Sequence, residues 1–248
     1  MPGTDFDAEP EPRKLSEISR LSGVFFEPTK AFTDIAERPR WLAPLLLVIL
    51  ASLAYTFAIG QRLGWERVID QQLQSRMAQM SDQQRAAVEQ TKGLQVKIAS
   101  VFAYVGALLG PPVYCLVAAG VLLLIVNGIM SAGIKFKQAF AVMCYSGLPG
   151  ILLIVLMIVA MYMKPNPDDF NLQNPLPFNL GWFMSPDTPA KFLHSIASSI
   201  DIFSIWAIAL IATGLKAAGG RKLTFGGAAT AVLTPWAIVV LLKAVIAR

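Results

Sequence analysis

His194, Ser198 and Asp201 come nearest to a chemical constellation in this sequence. In FLHSIASSIDIF they stand at i, i+4 and i+7, one face of an α-helix. Asp201 falls in a long apolar run, and an ionisable group inside a membrane span is by default a functional hypothesis, here that of a proton or cation site. Two structural readings compete. In one the span starts late in the run, which leaves Asp201 near the outer interface with His194 above it; in the other Asp201 hydrogen-bonds a neighbouring helix. A Ser-His-Asp triad is disfavoured, because three groups on one helix face do not converge on a substrate. Asn127, Tyr145 and Ser146 are the candidate partners for Asp201.

Other chemistry is sparse. Cys115 and Cys144 sit in apolar stretches and read as small packing residues. One histidine with distant thiols makes a poor metal site, so neither a metal nor a cofactor is implied. The chain has no GxxxxGK[ST], no GxSxG and no metal-binding His pair. Gly106 and Gly110 form a GxxxG, with Ala99, Ala103 and Ala107 adding small residues. Such a face lets helices approach closely; packing within the monomer is favoured over dimerisation. Pro111 and Pro112 disturb a second helix, and Gly147 and Pro149 in YSGLPG break a third. A kink without further role is the base expectation for the latter break, although backbone groups freed at membrane depth must be buried or line a cavity.

The elements carrying these residues belong in a bilayer. Mean hydropathy is +0.55, 55% of residues are hydrophobic and only 15% are charged, too little polar surface to cover a soluble core. Of the 16 acidic residues eight precede Trp41. A net charge of +5 and a pI near 9.3 suit anionic headgroups rather than nucleic acid, because the basic residues flank apolar runs.

The fold class expected is all-α, a polytopic helical membrane protein of about five transmembrane helices. Residues 1–20 read as a disordered tail, with no secretory signal peptide. Residues 27–38 form a short amphipathic helix with Phe32, Ile35 and Ala36 on one face. It lies in the headgroup layer or packs on the spans. The spans are expected near 41–61, 98–130, 138–163, 192–215 and 223–242, the second as one long kinked helix rather than two half-helices. The connector 62–97 reads as two amphipathic helices: Ile69, Leu73, Met77 and Met80 make a stripe, and Ser81 with Gln84 a capping box. Residues 164–191 read as an irregular cap with Phe178, Trp182 and Phe183 near the interface.

Orientation follows the basic residues. Lys135, Lys137, Lys216, Arg221 and Lys222 crowd two short connectors, whereas the cap has Lys164 and Lys191 against three aspartates. This places the short connectors and the N-terminus in the cytoplasm and the C-terminus outside. The six basic residues of 62–97 weigh the other way.

Several segments resemble the Yip family of five-span membrane proteins: FFEPTKAF before the first span, KFKQAFAVMCYSGLPGILL around the third and IDIFSIWAIALIATGLK in the fourth. GWERVIDQQLQSRM leading to GPPVYCLVAAGVLLLIVN looks like the family's bacterial branch. The resemblance covers residues from about 21 to the last span. It implies five spans, a cytoplasmic N-terminus and, for a bacterial member, the cytoplasmic (inner) membrane. Eukaryotic members are associated with Rab-type GTPases and vesicle traffic. The DLYGP motif of those members is absent here.

Three functional classes remain. The leading one is a non-enzymatic scaffold that organises membrane partners or bilayer shape. The second is a small transporter or channel using Asp201 and the broken third helix, and the last a membrane-embedded enzyme. The partners expected are membrane lipids, with protein partners or a homo-oligomer and no nucleic acid.

Overall fold

A computed structural model describes residues 15–77, 80–172, 174–184 and 191–246, without the side chains of 72–77 and 168. The expected tail lies outside the described residues as far as 14; from Glu17 the chain is helical. The helices are α1 (Glu17–Phe26), α2 (Pro28–Glu37), α3 (Leu42–Arg62), α4 (Trp65–Met77), α5 (Asp82–Gly128), α6 (Phe136–Ser146), α7 (Pro149–Met163), α8 (Lys191–Ser199), α9 (Ile202–Gly219) and α10 (Phe225–Ile246). Five segments are long and apolar enough to cross a membrane: Leu42–Arg62, Asp82–Gly128, Phe136–Met163, Ile202–Lys222 and Phe225–Ile246. The all-α polytopic expectation is met.

Capping signals set several boundaries. The Ser16 side chain accepts from the Ser19 N–H at the start of α1, and Pro28 opens α2, where its missing N–H costs nothing. The Ser81 and Gln84 side chains form the expected capping box. The helix they open does not stop at the membrane. It continues through Pro111 and Pro112 as one 47-residue rod, about 70 Å long at 1.5 Å per residue and more than twice the roughly 30 Å of a hydrocarbon core. α4 is strapped to its projecting half by Lys92 Nζ, 2.9 Å from Asp70 and 3.3 Å from Glu66. Trp65 meets Tyr104 edge-on at 6.0 Å.

The third span breaks at Gly147 and Leu148, between α6 and α7. Pro149 has no N–H to give, and the ladder tightens around it: Leu148 N–H donates to Tyr145 at 3.2 Å and Gly150 N–H to Gly147 at 3.0 Å. The fourth apolar run is not one helix from residue 192. Ile200 and Asp201 are drawn out of helix by pairing with the cap, where Leu180 N–H donates to Ile200 (3.2 Å) and Ile202 N–H to Phe178 (3.3 Å). The span therefore starts at Ile202, and α8 is a separate short helix.

The main core joins Val24, Phe32 and Ile35 to Leu122 and Val126 of α5, Phe140–Tyr145 of α6, Leu210 and Leu215 of α9, and Val232 of α10. This decides between the two readings of the amphipathic segment. Phe32 and Ile35 are fully buried among the spans, so that apolar face is not a headgroup-layer anchor. α2 packs against α9 and α6. Gln138 Nε2 donates to the Ala36 carbonyl at 2.8 Å, Phe32 packs over Gly214, and Phe25 meets Trp206 edge-on at 5.7 Å. A Cβ on Gly214 would come within 2.5 Å of Val142 and 2.9 Å of Phe32; glycine is what lets α2 and α6 approach α9 there.

A second core at the opposite end gathers Ala58, Leu63, Val68, Met161 and Phe170. The two short basic connectors share the first end: Gly133 lies beside Lys222 Nζ, and Gly219 beside Ala132.

Candidate functional site

α1 and α2 form a hairpin held by buried charge. Arg20 and Val24 are one helical turn apart and both point inward, so a guanidinium enters the apolar seam and must be paired there. Arg20 is 1% exposed. Its Nε donates to Asp34 Oδ2 at 2.5 Å and its Nη1 to the Arg38 carbonyl at 3.2 Å and Glu17 Oε1 at 3.4 Å. The Arg38 guanidinium and the Leu15 N–H hold Asp34 Oδ1. Glu17 Oε1 also accepts from Arg40 at 3.2 Å, and Glu17 Oε2 from the Tyr145 hydroxyl at 3.2 Å. Burial pushes the Asp34 carboxyl up, but the Leu15 N–H and the Arg20 and Arg38 guanidinium groups more than reverse this. Asp34 ionises below its ordinary range.

The hairpin's other side is left open. Ile18, Ser19, Ser22 and Phe26 follow one another along α1 at helical spacing and are exposed, Phe26 at 85%. Glu27 and Lys30 pair at 3.0 Å beside them, also exposed. The surface is mixed in character although the helix behind it lies against a span.

The residues singled out in sequence are dispersed. Asp201 is the N-cap of α9: its Oδ1 accepts from the Phe203 and Ser204 N–H groups at 2.9 and 3.0 Å, and Oδ2 from the Ser204 hydroxyl. His194 and Ser198 lie on α8, Nδ1 and Oγ 3.4 Å apart. Ser198 backs onto Gly181, where a Cβ would lie 2.1 Å from its Oγ. None of the three candidate partners of Asp201 bonds it, and two are engaged elsewhere. Asn127 clamps the Ile134 backbone by two bonds of 2.9 Å, Tyr145 bonds Glu17, and buried Ser146 Oγ has no hydrogen-bond partner among the described residues.

Gly106 and Gly110 are exposed, and a Cβ at either would meet nothing within 4 Å. Packing of this face within the monomer, the favoured reading, is thus not what the fold does. The buried stripe of α5 instead runs through Ala107, Cys115, Ala119, Leu122 and Val126. Cys115 and Cys144 are buried free thiols in the main core. Gly147 C-caps α6, Pro149 opens α7, and Pro111 and Pro112 lie within α5.

Sequence reasoning passed over Arg20, Asp34, Gly181 and Gly214. For Arg20 a signal existed, a charge one helical turn from Val24 on the inward stripe. The two glycines gave none, because their roles depend on chain segments distant in sequence.

No curated protein and no solved structure matches the chain. The family described as Yip1 domain matches residues 22–246, a stretch that holds α2, all five spans and the connectors between them. The chain is a membrane protein with five apolar helices, and it belongs to the Yip1-domain family.

Proposed function

We propose that the protein is a non-enzymatic membrane scaffold whose docking element is the open face of the α1–α2 hairpin. The observation that carries this reading is the hairpin's two-sidedness. One side is locked to α6 and α9 by Phe32, Ile35 and the Tyr145–Glu17 hydrogen bond, while the other presents Ile18, Ser22, Phe26 and the Glu27–Lys30 pair. Charged and hydroxyl groups beside a span do not suit hydrocarbon, and exposed Phe26 with Ile18 does not suit water. A protein partner satisfies both.

Asp201 in this reading is structural, since its carboxylate serves the first turn of α9. The basic end of the bundle faces the cytoplasm of a bacterial inner membrane. In support, Lys92 of the opposing connector is neutralised by Asp70 and Glu66, and that connector is a folded unit rather than the kind of short loop whose charge sets orientation.

The experiment is affinity capture from native membranes with quantitative identification of bound proteins. Ser22→Arg and Phe26→Asp, both on exposed positions, should lower recovery of specific partners about tenfold with thermal stability unchanged. Equal recovery from wild type and both variants removes the hairpin from the function.

A further inference from the structure

Where α2 gives way to α3, a cavity of about 400 Å³ opens between residues 39–43 and the start of α6. We propose that it binds an anionic glycerophospholipid, headgroup phosphate at one end and the top of an acyl chain at the other. The lining changes character along its length in the way such a molecule does. Arg40 from the α2–α3 link and Lys137 from α6 supply the cations. Leu42 and Leu46, 57% and 48% exposed, supply an apolar wall at the start of the first span. Trp41 stands between them, fixed edge-on against Phe140 at 5.3 Å, and indole at the water–hydrocarbon boundary is a headgroup-level anchor.

The local charge balance favours an anion. Glu17 also lines the cavity, but its Oε1 is held by Arg20 and Arg40 and its Oε2 by Tyr145. Arg40 uses one of its five donors on Glu17. Lys137 pairs with no carboxylate among the described residues. Basic pockets between membrane helices are suited to phosphate headgroups. A soluble phosphate would satisfy the two cations and leave the Leu42–Leu46 wall bare; a lipid satisfies both.

The test is native mass spectrometry of the full chain in neutral detergent. Phosphatidylglycerol, phosphatidylcholine and glycerol phosphate are titrated separately. Phosphatidylglycerol should bind, and Lys137→Gln should weaken it about fivefold, with the Arg40→Gln/Lys137→Gln pair near twentyfold. Lys222→Gln, at the same end but outside the cavity, should leave affinity unchanged, and neither phosphatidylcholine nor glycerol phosphate should compete. Because Lys137→Gln breaks no described contact, it decides the matter even if the double variant fails to fold. Unaltered phosphatidylglycerol binding in Lys137→Gln, or an equal loss in Lys222→Gln, overturns the site. Competition by glycerol phosphate overturns the lipid assignment in favour of a soluble anion.

Discussion

Arg20 is a guanidinium that the fold has removed from water, and its partners decide whether that is tolerable. Arg20→Met keeps much of the bulk but leaves Asp34 with only Arg38 and the Leu15 N–H. Breaking one side of a buried pair costs about 3–5 kcal/mol; the contacts that survive put this variant at the lower end, read as thermal unfolding of the purified protein. The same network has a pH signature. Asp34 is held below its unfolded value of about 3.9. Its stabilising contribution is therefore complete above that value and lost as pH falls through the lowered folded one. Hydrogen-exchange protection of α1 should be flat from about pH 8 to pH 5 and decline only below about pH 4. A loss centred near neutrality would assign the clamp to another group.

Asp201 makes the complementary case. As an N-cap it should tolerate Asp201→Asn with little loss, whereas Asp201→Leu should cost about 1–2 kcal/mol. A pH-dependent flux through reconstituted vesicles that disappears in Asp201→Asn at unchanged stability would contradict the capping role. The residue's prominence in sequence had a physical source. A hydropathy window cannot see that residues 178–180 pair with 200–202 and end one helix before the next begins. His194 and Ser198 did share a face, as spacing requires, but the chain turns at Ile200 before Asp201 can join them.

Among the elements, α2 is the one whose placement most affects the rest. Its seat on α9 depends on Gly214, where Gly214→Ala would press against Val142 and Phe32. Overpacking of this kind typically costs about 1–3 kcal/mol. Here it should appear first as lost exchange protection in α1 and α2, with the spans unaffected. Full protection in Gly214→Ala would mean that the close approach at Gly214 does not hold the hairpin on the bundle. Several helices were legible because their determinants are local: Pro28, the Ser81–Gln84 box and Pro149 all act within a turn; α1 was not, because its first residues read as part of the tail. Which side of α2 met protein and which met lipid was not legible. Phe32 and Ile35 are equally apolar against either, and the glycine that admits them lies on a helix far along the chain.

At the scale of the molecule, the bundle has two unlike ends. One carries the hairpin, both short basic connectors and the Arg40–Lys137 cavity. The other carries α4, the projecting half of α5 and the proline-rich cap, joined by Arg62 Nη2 donating to the Lys164 carbonyl and by the Phe170 core. The proposed orientation makes a cysteine at position 135 label from the cytoplasmic side only; outer labelling reverses the assignment of ends. The scaffold account itself rests on what meets the open hairpin face in the native membrane. A photo-crosslinker placed at Ser22, with Leu124 of α5 as a lipid-facing control of 76% exposure, tests this directly. The account predicts discrete protein adducts from Ser22 and only lipid adducts from Leu124. Lipid adducts alone from both positions would contradict it.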